Sequence, residues 1–333
     1  MVSNTLEAAP VVPERLQRQR ALAVVLEQPE QLRLASLEID HPGPADIVIA
    51  TEWSAISTGT ERLLYRGSMP PFPGMGYPLV PGYESVGRIV EVGPEADTDL
   101  AVGQRVFVGG ARCYGPVRGL FGGASARLVV QPARAIPVPD HIGEKAVLLA
   151  LAATAYHALH LPGAQRTDLI IGHGVLGRLL ARIAALDTAH PVLVWENNPA
   201  RAQGAVGYTV TDAQQDTRRD YRSILDASGD AALLDKLIAR LAPGGEIVLA
   251  GFYSEPLHFA FAPAFMREAR LLIAAEWKPD DLRAVMELIA SGRLSLDGLI
   301  THRVPATEAT DAYRTAFGDP ACLKMVLDWR SLA

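Results

Sequence analysis

The sequence predicts an α/β chain of two unlike parts: a β-rich, barrel-like first domain and a second domain built on a doubly wound parallel sheet. Three observations predict it. Short alternating strand patterns separated by Pro and Gly fill the region up to Pro139, strands alternate with helix-period segments after it, and a glycine-rich turn sits between a strand and a helix at Gly172.

In chain order, Pro10, Pro13 and many polar residues predict an order-poor tail over residues 1–20, with the fold starting at Ala21-Leu-Ala-Val-Val-Leu26. Leu32 to Ile39 and Asp46 to Trp53 alternate apolar with polar residues, the mark of half-buried strands, and Val86 to Val92, Arg105 to Val108 and Ala126 to Val130 continue the pattern. Their Pro- and Gly-rich connections favour a compact barrel over a parallel sheet. Glu144 to Leu161 is apolar on a helical period and links the two domains. Tyr208 to Thr211, Ser223 to Ala227, Glu246 to Gly251 and Arg270 to Ala275 read as strands, with helices over Ala231 to Leu241 and Pro279 to Ser291. Ile300 to Val304 and Lys324 to Trp329 are too little for a new domain and are expected to rejoin the first. The domains therefore read as 21–143 with 285–333, and 144–284.

The glycine turn carries the clearest chemistry. Gly172, Gly174 and Gly177 have the G-x-G-x-x-G spacing directly after the apolar run Leu169-Ile170-Ile171 and directly before the helix-period run Leu179, Leu180, Ile183. In such a turn the first glycine permits the sharp bend, the second lets backbone approach a pyrophosphate, and the third allows close helix–strand packing. Val175 and Leu176 then open the helix, whose N-terminal N–H groups face the phosphates. A second strand, Pro191 to Trp195, ends at Glu196, nineteen positions past Gly177, where a carboxylate accepts hydrogen bonds from ribose hydroxyls. The cofactor reads as NAD, because the same carboxylate repels a 2′-phosphate; Arg201 keeps NADP open as a lesser alternative.

Composition excludes other classes. A formal net charge of −6 in 333 residues, with no basic patch beyond Arg15 to Arg20, gives no reason to expect nucleic acid or an anionic membrane as partner. No apolar run reads as long enough for a membrane span, and no signal segment follows the basic cluster, so a soluble cytoplasmic protein is expected. Two cysteines, Cys113 and Cys322, make neither a disulfide framework nor a cysteine-rich metal site, and both read as small buried side chains.

A β-rich first domain, a dinucleotide fold after it and a short return resemble the medium-chain alcohol dehydrogenases over nearly the whole chain. The resemblance implies a GroES-like catalytic domain beside a Rossmann domain, and a homodimer joined near Gly251 to Ala275. It also implies a zinc site, which the residues do not supply. The family's G-H-E-x-x-G position is Gly82-Tyr83-Glu84-Ser85-Val86-Gly87, so Tyr83 stands in the histidine position. The early cysteine position falls on Ser57 and the helix cysteine position on Ala150, and a four-cysteine lobe has only Cys113. No metal is expected, since zinc needs three protein ligands. The segments STGTERLLYRG, MPPFPGMGYPLVPGYESVG, LFGGAS and DPACLKMVLDW are similar to the branch of the family that acts on bacteriochlorophyllides. That implies NAD-dependent oxidation of the 3-(1-hydroxyethyl) group of a magnesium chlorin to 3-acetyl.

Oxidising a secondary alcohol needs a hydride acceptor and a path for the hydroxyl proton. Tyr83 is a candidate partner for the substrate oxygen or an aromatic filling the vacated metal space. Ser57, Thr58 and Thr60 are a candidate hydroxyl relay or strand-end hydroxyls satisfying a turn. Glu84 is a candidate base or half of a salt bridge, and Glu61 a weaker version of the same. His157 reads as a helix histidine and His173 as loop variation. Thr154, Gly251 and Phe252 are implied cofactor contacts. A flat apolar chlorin needs apolar and aromatic walls, for which Tyr65, Met69, Phe72, Met75 and Tyr77, with Phe121 further on, are candidates. Arg62, Arg66 or Arg118 is available for its propionate. Two other readings stay open: a zinc-free quinone or enoyl reductase, against which Glu196 argues, and a non-catalytic NAD-binding protein.

Overall fold

The computed structural model of the chain describes residues 19–71 and 73–332. The tail expected over 1–20 falls outside these, apart from Gln19 and Arg20, and so does Phe72.

The first part opens with a hairpin of β1 (Arg20–Gln28) and β2 (Gln31–Glu38), paired antiparallel with Ala23 opposite Ala35. β3 (Ile47–Ile56) runs into helix α1 (Thr60–Arg66), and β4 (Leu79–Val80), β5 (Ser85–Val92) and β6 (Arg105–Val108) follow. β7 (Arg118–Gly119), β8 (Arg127–Val130) and β9 (Ala135–Pro137) complete it. They sort into one sheet of order β2-β1-β4-β7 and a larger one in which β3 pairs with β5 and β8, β5 with β6, and β6 with β9. The apolar positions that alternate along these strands meet between the sheets, where Val25, Ile47, Ile49, Val80, Ile89, Val106 and Leu128 are buried together. Each such side chain contributes roughly 1.5–3 kcal/mol by leaving water.

Turns of 3₁₀ helix over Asp140–Leu148, broken at Gly143, lead into α2 (Leu149–Leu159). Next come β10 (Leu169–Ile171), α3 (Val175–Ala184), β11 (Leu193–Trp195), β12 (Thr209–Thr211), β13 (Tyr221–Asp226) and α4 (Leu234–Ile238). β14 (Leu241–Leu249), α5 (Phe261–Met266), β15 (Arg270–Ile273) and α6 (Pro279–Ala290) follow. The six strands form one parallel sheet of order β12-β11-β10-β13-β14-β15, which reverses direction of growth between β10 and β13. In a doubly wound sheet that switch point is where a ligand sits.

β16 (His302–Pro305), α7 (Ala309–Gly318) and β17 (Met325–Asp328) return to the first part, where β17 lies antiparallel to β3 with Met325 opposite Ile56. Three local expectations need correction. The helix expected over Ala231 to Leu241 stops at Ile238, because Leu241 is drawn into the sheet opposite Tyr221. α7 was not read from the sequence; it is helical because Ala309, Ala312, Tyr313 and Ala316 bury one face. Asp140–Leu159 is 20 residues long with a mean hydropathy of 1.2, enough by length and composition for a membrane span, contrary to the sequence reading. That stretch is 61% buried within the protein, with α2 packed against α3 and α6.

Candidate active site

The register of β3 against β5 builds the first half of the site. Ser54 faces Ser85, and Ala55 donates its N–H to Glu84 O at 2.9 Å, so the chain leaving β3 passes alongside Gly82 and Tyr83. Ser57 Oγ and Tyr83 Oη lie 2.5 Å apart and share a hydrogen bond. Burial first, and the neighbouring Glu84 carboxyl second, push the Tyr83 phenol well above its ordinary range, so it stays protonated, and either hydroxyl of the pair can donate. Thr58 is half-buried one residue further on.

Two carboxyl groups lie behind this pair. Glu84 is fully buried, and Lys324 Nζ donates to its two oxygens at 2.6 and 2.9 Å and to Ile56 O at 3.4 Å. Burial raises the Glu84 carboxyl, and Lys324 pulls it back only in part. Glu61, in the first turn of α1 and 1% exposed, accepts the Ser57 N–H at 3.1 Å and the Tyr313 hydroxyl at 2.7 Å. Its carboxyl is pushed up to about 7 by burial, against the pull of those two donors. Lys324 and Tyr313 were missed at the sequence level. Lys324 left one signal, a single lysine beside the strand-like run Met325-Val-Leu, but Tyr313 left none.

The second half is the glycine turn. Gly172 has φ +93°, and a Cβ on Gly177 would lie 1.9 Å from Gly172 O, so helix α3 packs on the turn only with glycine there. Around Gly174 there is nothing within 4 Å of a built Cβ, which leaves the open approach that a pyrophosphate requires. Val175 and Leu176 form the first turn of α3 beyond it. The Glu196 carboxylate accepts the N–H of His173 at 2.9 Å and of Asn198 at 2.7 Å, and retains acceptor capacity for hydroxyls. These residues fit a nicotinamide dinucleotide.

His173, read from sequence as loop variation, is fully buried and ties the turn to the segment after β11. Its Nδ1 bonds Arg201 O at 2.6 Å and its Nε2 bonds the Tyr208 hydroxyl at 2.8 Å. Burial lowers its pKa, in keeping with a neutral ring. Arg178 holds the same segment by donating to the carbonyls of His173, Arg201, Gln203 and Gly204. Arg201 itself donates from Nε to Pro320 O at 2.9 Å.

Thr154 donates its hydroxyl to Ala150 O at 3.0 Å within α2. His157 pairs with Asp281 on α6 at 2.9 Å, as a helix-joining residue. Gly251 follows β14, where a Cβ would lie 2.9 Å from Gly229 N, and Phe252 beside it is 43% exposed. Of the proposed chlorin contacts, Tyr65, Met69, Met75 and Phe121 gather with Tyr77 around buried Leu26, Leu64, Leu79 and Leu120. The Phe121 ring also meets Tyr83 edge-on at 5.3 Å, joining this apolar cluster to the hydroxyl pair. Arg118 packs its guanidinium at Gly76, next to Met75. Arg62 is half-buried, and burial first, then the charges of Arg66 and Arg201, lower its pKa.

Residues 43–140 match the model of the alcohol dehydrogenase GroES-like domain, and residues 201–327 that of the zinc-binding dehydrogenase domain. The 2-desacetyl-2-hydroxyethyl bacteriochlorophyllide A dehydrogenase of Cereibacter sphaeroides is 56% identical over 319 residues, 94% of this chain and 100% of that protein. The chain belongs to the medium-chain alcohol dehydrogenases. The fold is shared with a short chain alcohol dehydrogenase of E. coli CFT073 complexed with NADH, at TM-score 0.78 and 22% identity, over 93% of this chain and 99% of that one. It is shared equally with a putative zinc-binding dehydrogenase of Sinorhizobium meliloti bound to NADP, at TM-score 0.76 and 23% identity, over 93% and 99%. As a medium-chain dehydrogenase, the protein is an oxidoreductase of CH–OH groups, in a family that uses a nicotinamide nucleotide. It departs from the zinc-dependent pattern in its donor set. Ser57, Tyr83 and Ala150 stand where the resemblance puts the family's zinc ligands, and among the described residues no three His, Cys, Asp or Glu side chains are grouped to hold a metal. The site does not fit zinc.

Proposed function

We propose that this dehydrogenase oxidises the 3-(1-hydroxyethyl) group of a bacteriochlorophyllide to 3-acetyl, with NAD as hydride acceptor. One observation carries the reading: the 56% identity to the Cereibacter sphaeroides enzyme spans the whole of that protein. The apolar cluster that abuts Tyr83 supports it, since a wide, flat, apolar substrate needs such a wall beside the reacting oxygen.

Bound at the glycine turn, the dinucleotide supplies the acceptor carbon for the hydride. The protein does the rest. Tyr83 and Ser57, with Thr58 beside them, bind the alcohol oxygen and give its proton a hydrogen-bonded path. Glu84, neutralised by Lys324, sets the field in which Tyr83 stays protonated. Thr154, Gly251 and Phe252 flank the nicotinamide, and Gly172, Gly174, Val175, Leu176, Gly177 and Glu196 hold the rest of the cofactor. Tyr65, Met69, Met75 and Phe121 take the macrocycle, with Arg118 at its propionate. Glu196 favours NAD over NADP through repulsion of a 2′-phosphate, and Arg201 is already engaged with Pro320.

We also propose a homodimer joined along β15, an edge strand beside the exposed Phe261, Phe265, Met266 and Ile273, and a cytoplasmic location. The test of function is to mix pure protein with NAD⁺ and a 3-(1-hydroxyethyl) chlorin and follow the red-shifted acetyl product. Folded, NAD-binding protein that gives no product overturns the reading, and NADP⁺ as the better acceptor overturns the cofactor choice.

A further inference from the structure

A proton leaving the substrate alcohol through Tyr83 and Ser57 needs a group that holds it. Both hydroxyls are poor bases: the phenol is buried beside carboxyl groups, and a serine hydroxyl has no tendency to stay protonated twice. Two carboxyl groups stand behind them, and their surroundings differ. Glu84 has a cation of its own, with Lys324 bonded to both of its oxygens, and is committed to that pair. Glu61 is just as buried, but only neutral donors reach it: the Ser57 N–H and the Tyr313 hydroxyl. A buried carboxylate without a bonded cation is costly to keep ionised, so it takes up a proton readily.

The groups that face Glu61 come from every side. They are Tyr313 of α7, Ser57 at the end of β3, Glu84 before β5 and Lys324 before β17. Glu84 raises its proton affinity, Lys324 and the two donors lower it, and burial exceeds them all. The balance leaves Glu61 titrating at about 7, where modest changes around it move the proton on or off.

We propose that Glu61 holds the substrate's proton during hydride transfer, acting through Ser57 and Tyr83 as a positioning residue that never touches the substrate. The inference rests on the alcohol-oxidation reading above. As the carbinol C–H bond breaks and its electron pair leaves with the hydrogen for NAD⁺, the alcohol O–H proton passes to Tyr83 Oη, the Tyr83 proton to Ser57 Oγ and the Ser57 hydroxyl proton to Glu61 in one concerted shift, so that no hydroxyl carries two protons. For this the Ser57 O–H turns about its Cβ–Oγ bond toward the carboxylate whose oxygen already holds the Ser57 N–H, while Oγ accepts from Tyr83. Alcohol, NAD⁺ and carboxylate become ketone, NADH and carboxylic acid, with no other reactant. After the product leaves, the same hydroxyls return the proton to water.

The test uses full-length wild type, Glu61→Gln and Tyr313→Phe, with two readouts: the single-turnover oxidation rate from pH 5 to 9, and the infrared C=O band of protonated carboxyl groups in the cofactor-free protein. Wild type is expected to show a rate that rises through about pH 7 and a carboxyl band that vanishes over the same range. Glu61→Gln is expected to lose the band and the pH dependence, with a rate lower by on the order of 100-fold. Tyr313→Phe removes a donor that favours the ionised form, so both midpoints are expected to move to higher pH. A Glu61→Gln protein with wild-type rate and pH profile overturns the proposal, as does a wild-type band that has already gone by pH 5. Should wild type oxidise no chlorin, the substrate assignment falls separately, and the infrared titration alone decides for or against Glu61.

Discussion

Lys324 bonds both oxygens of Glu84 at 2.6 and 2.9 Å across 240 positions of sequence, with both side chains buried. Removing one partner strands the other. Lys324→Met is expected to cost about 3–5 kcal/mol in chemical denaturation, because Glu84 is left as an unpaired buried carboxyl. Glu84→Gln combined with Lys324→Met is expected to recover most of that loss. A single variant as stable as wild type shows that the pair is not ionic.

Tyr83→Phe keeps the ring against Phe121 and removes only the hydroxyl bonded to Ser57. The expected result is a kcat lower by on the order of 100-fold with NAD binding unchanged, measured by steady-state kinetics and NAD titration. Unchanged kcat removes Tyr83 from the proton path.

Glu61 also predicts how stability depends on pH. Its folded-state pKa is raised from 4.5 to about 7, so between those values the folded chain holds a proton that the unfolded chain has released. Its contribution is fully present below pH 4.5 and is lost as pH rises through about 7. Glu61→Gln is therefore expected to stabilise the protein at pH 8, by up to roughly 3 kcal/mol, with the gain fading toward pH 4.5. Denaturation at the two pH values measures it, and an equal effect at both contradicts the raised pKa.

Two glycines separate binding from folding. Gly174→Ala meets nothing within 4 Å and has an extended backbone that alanine adopts, so its melting temperature is expected to stay at the wild-type value. The added methyl stands in the pyrophosphate's approach and is expected to weaken NAD by about tenfold or more, ~1.4 kcal/mol, in calorimetric titration. Gly177→Ala places its Cβ 1.9 Å from Gly172 O and is expected to lower both the melting temperature and NAD affinity.

Edge strand β15 predicts association. Ile273 is 75% exposed there, and Ile273→Lys is expected to convert a dimer to monomers in sedimentation while leaving the monomer folded. Wild type sedimenting as a monomer contradicts the dimer directly.

Short-range patterns made much of this molecule legible. Strand alternation located β2, β3 and β5 to within a few residues, and the glycine spacing located the turn between β10 and α3, because each is written in adjacent residues. What stayed hidden depends on pairings between distant parts of the chain. His173 looked like loop variation because Arg201 and Tyr208 lie 28 and 35 positions away. Glu84 and Glu61 looked alike because their difference is made by Lys324 and Tyr313, 240 and 252 positions further on. Helix α7 was hidden for a related reason: the face it buries packs on β2, far off in the chain, as well as on β16 and β17.

The threading of β17 beside β3 also has a consequence for how the enzyme is made. On the ribosome, Ser57, Glu61, Tyr83 and Glu84 emerge long before Tyr313 and Lys324. Until those two are delivered, the nascent first domain carries two carboxylates with no hydroxyl or ammonium to meet them, and water must fill their place. The barrel cannot complete this buried corner until β17 has been synthesised. A chain interrupted before Tyr313 would therefore leave Glu61 without its Tyr313 bond and Glu84 without its ammonium partner.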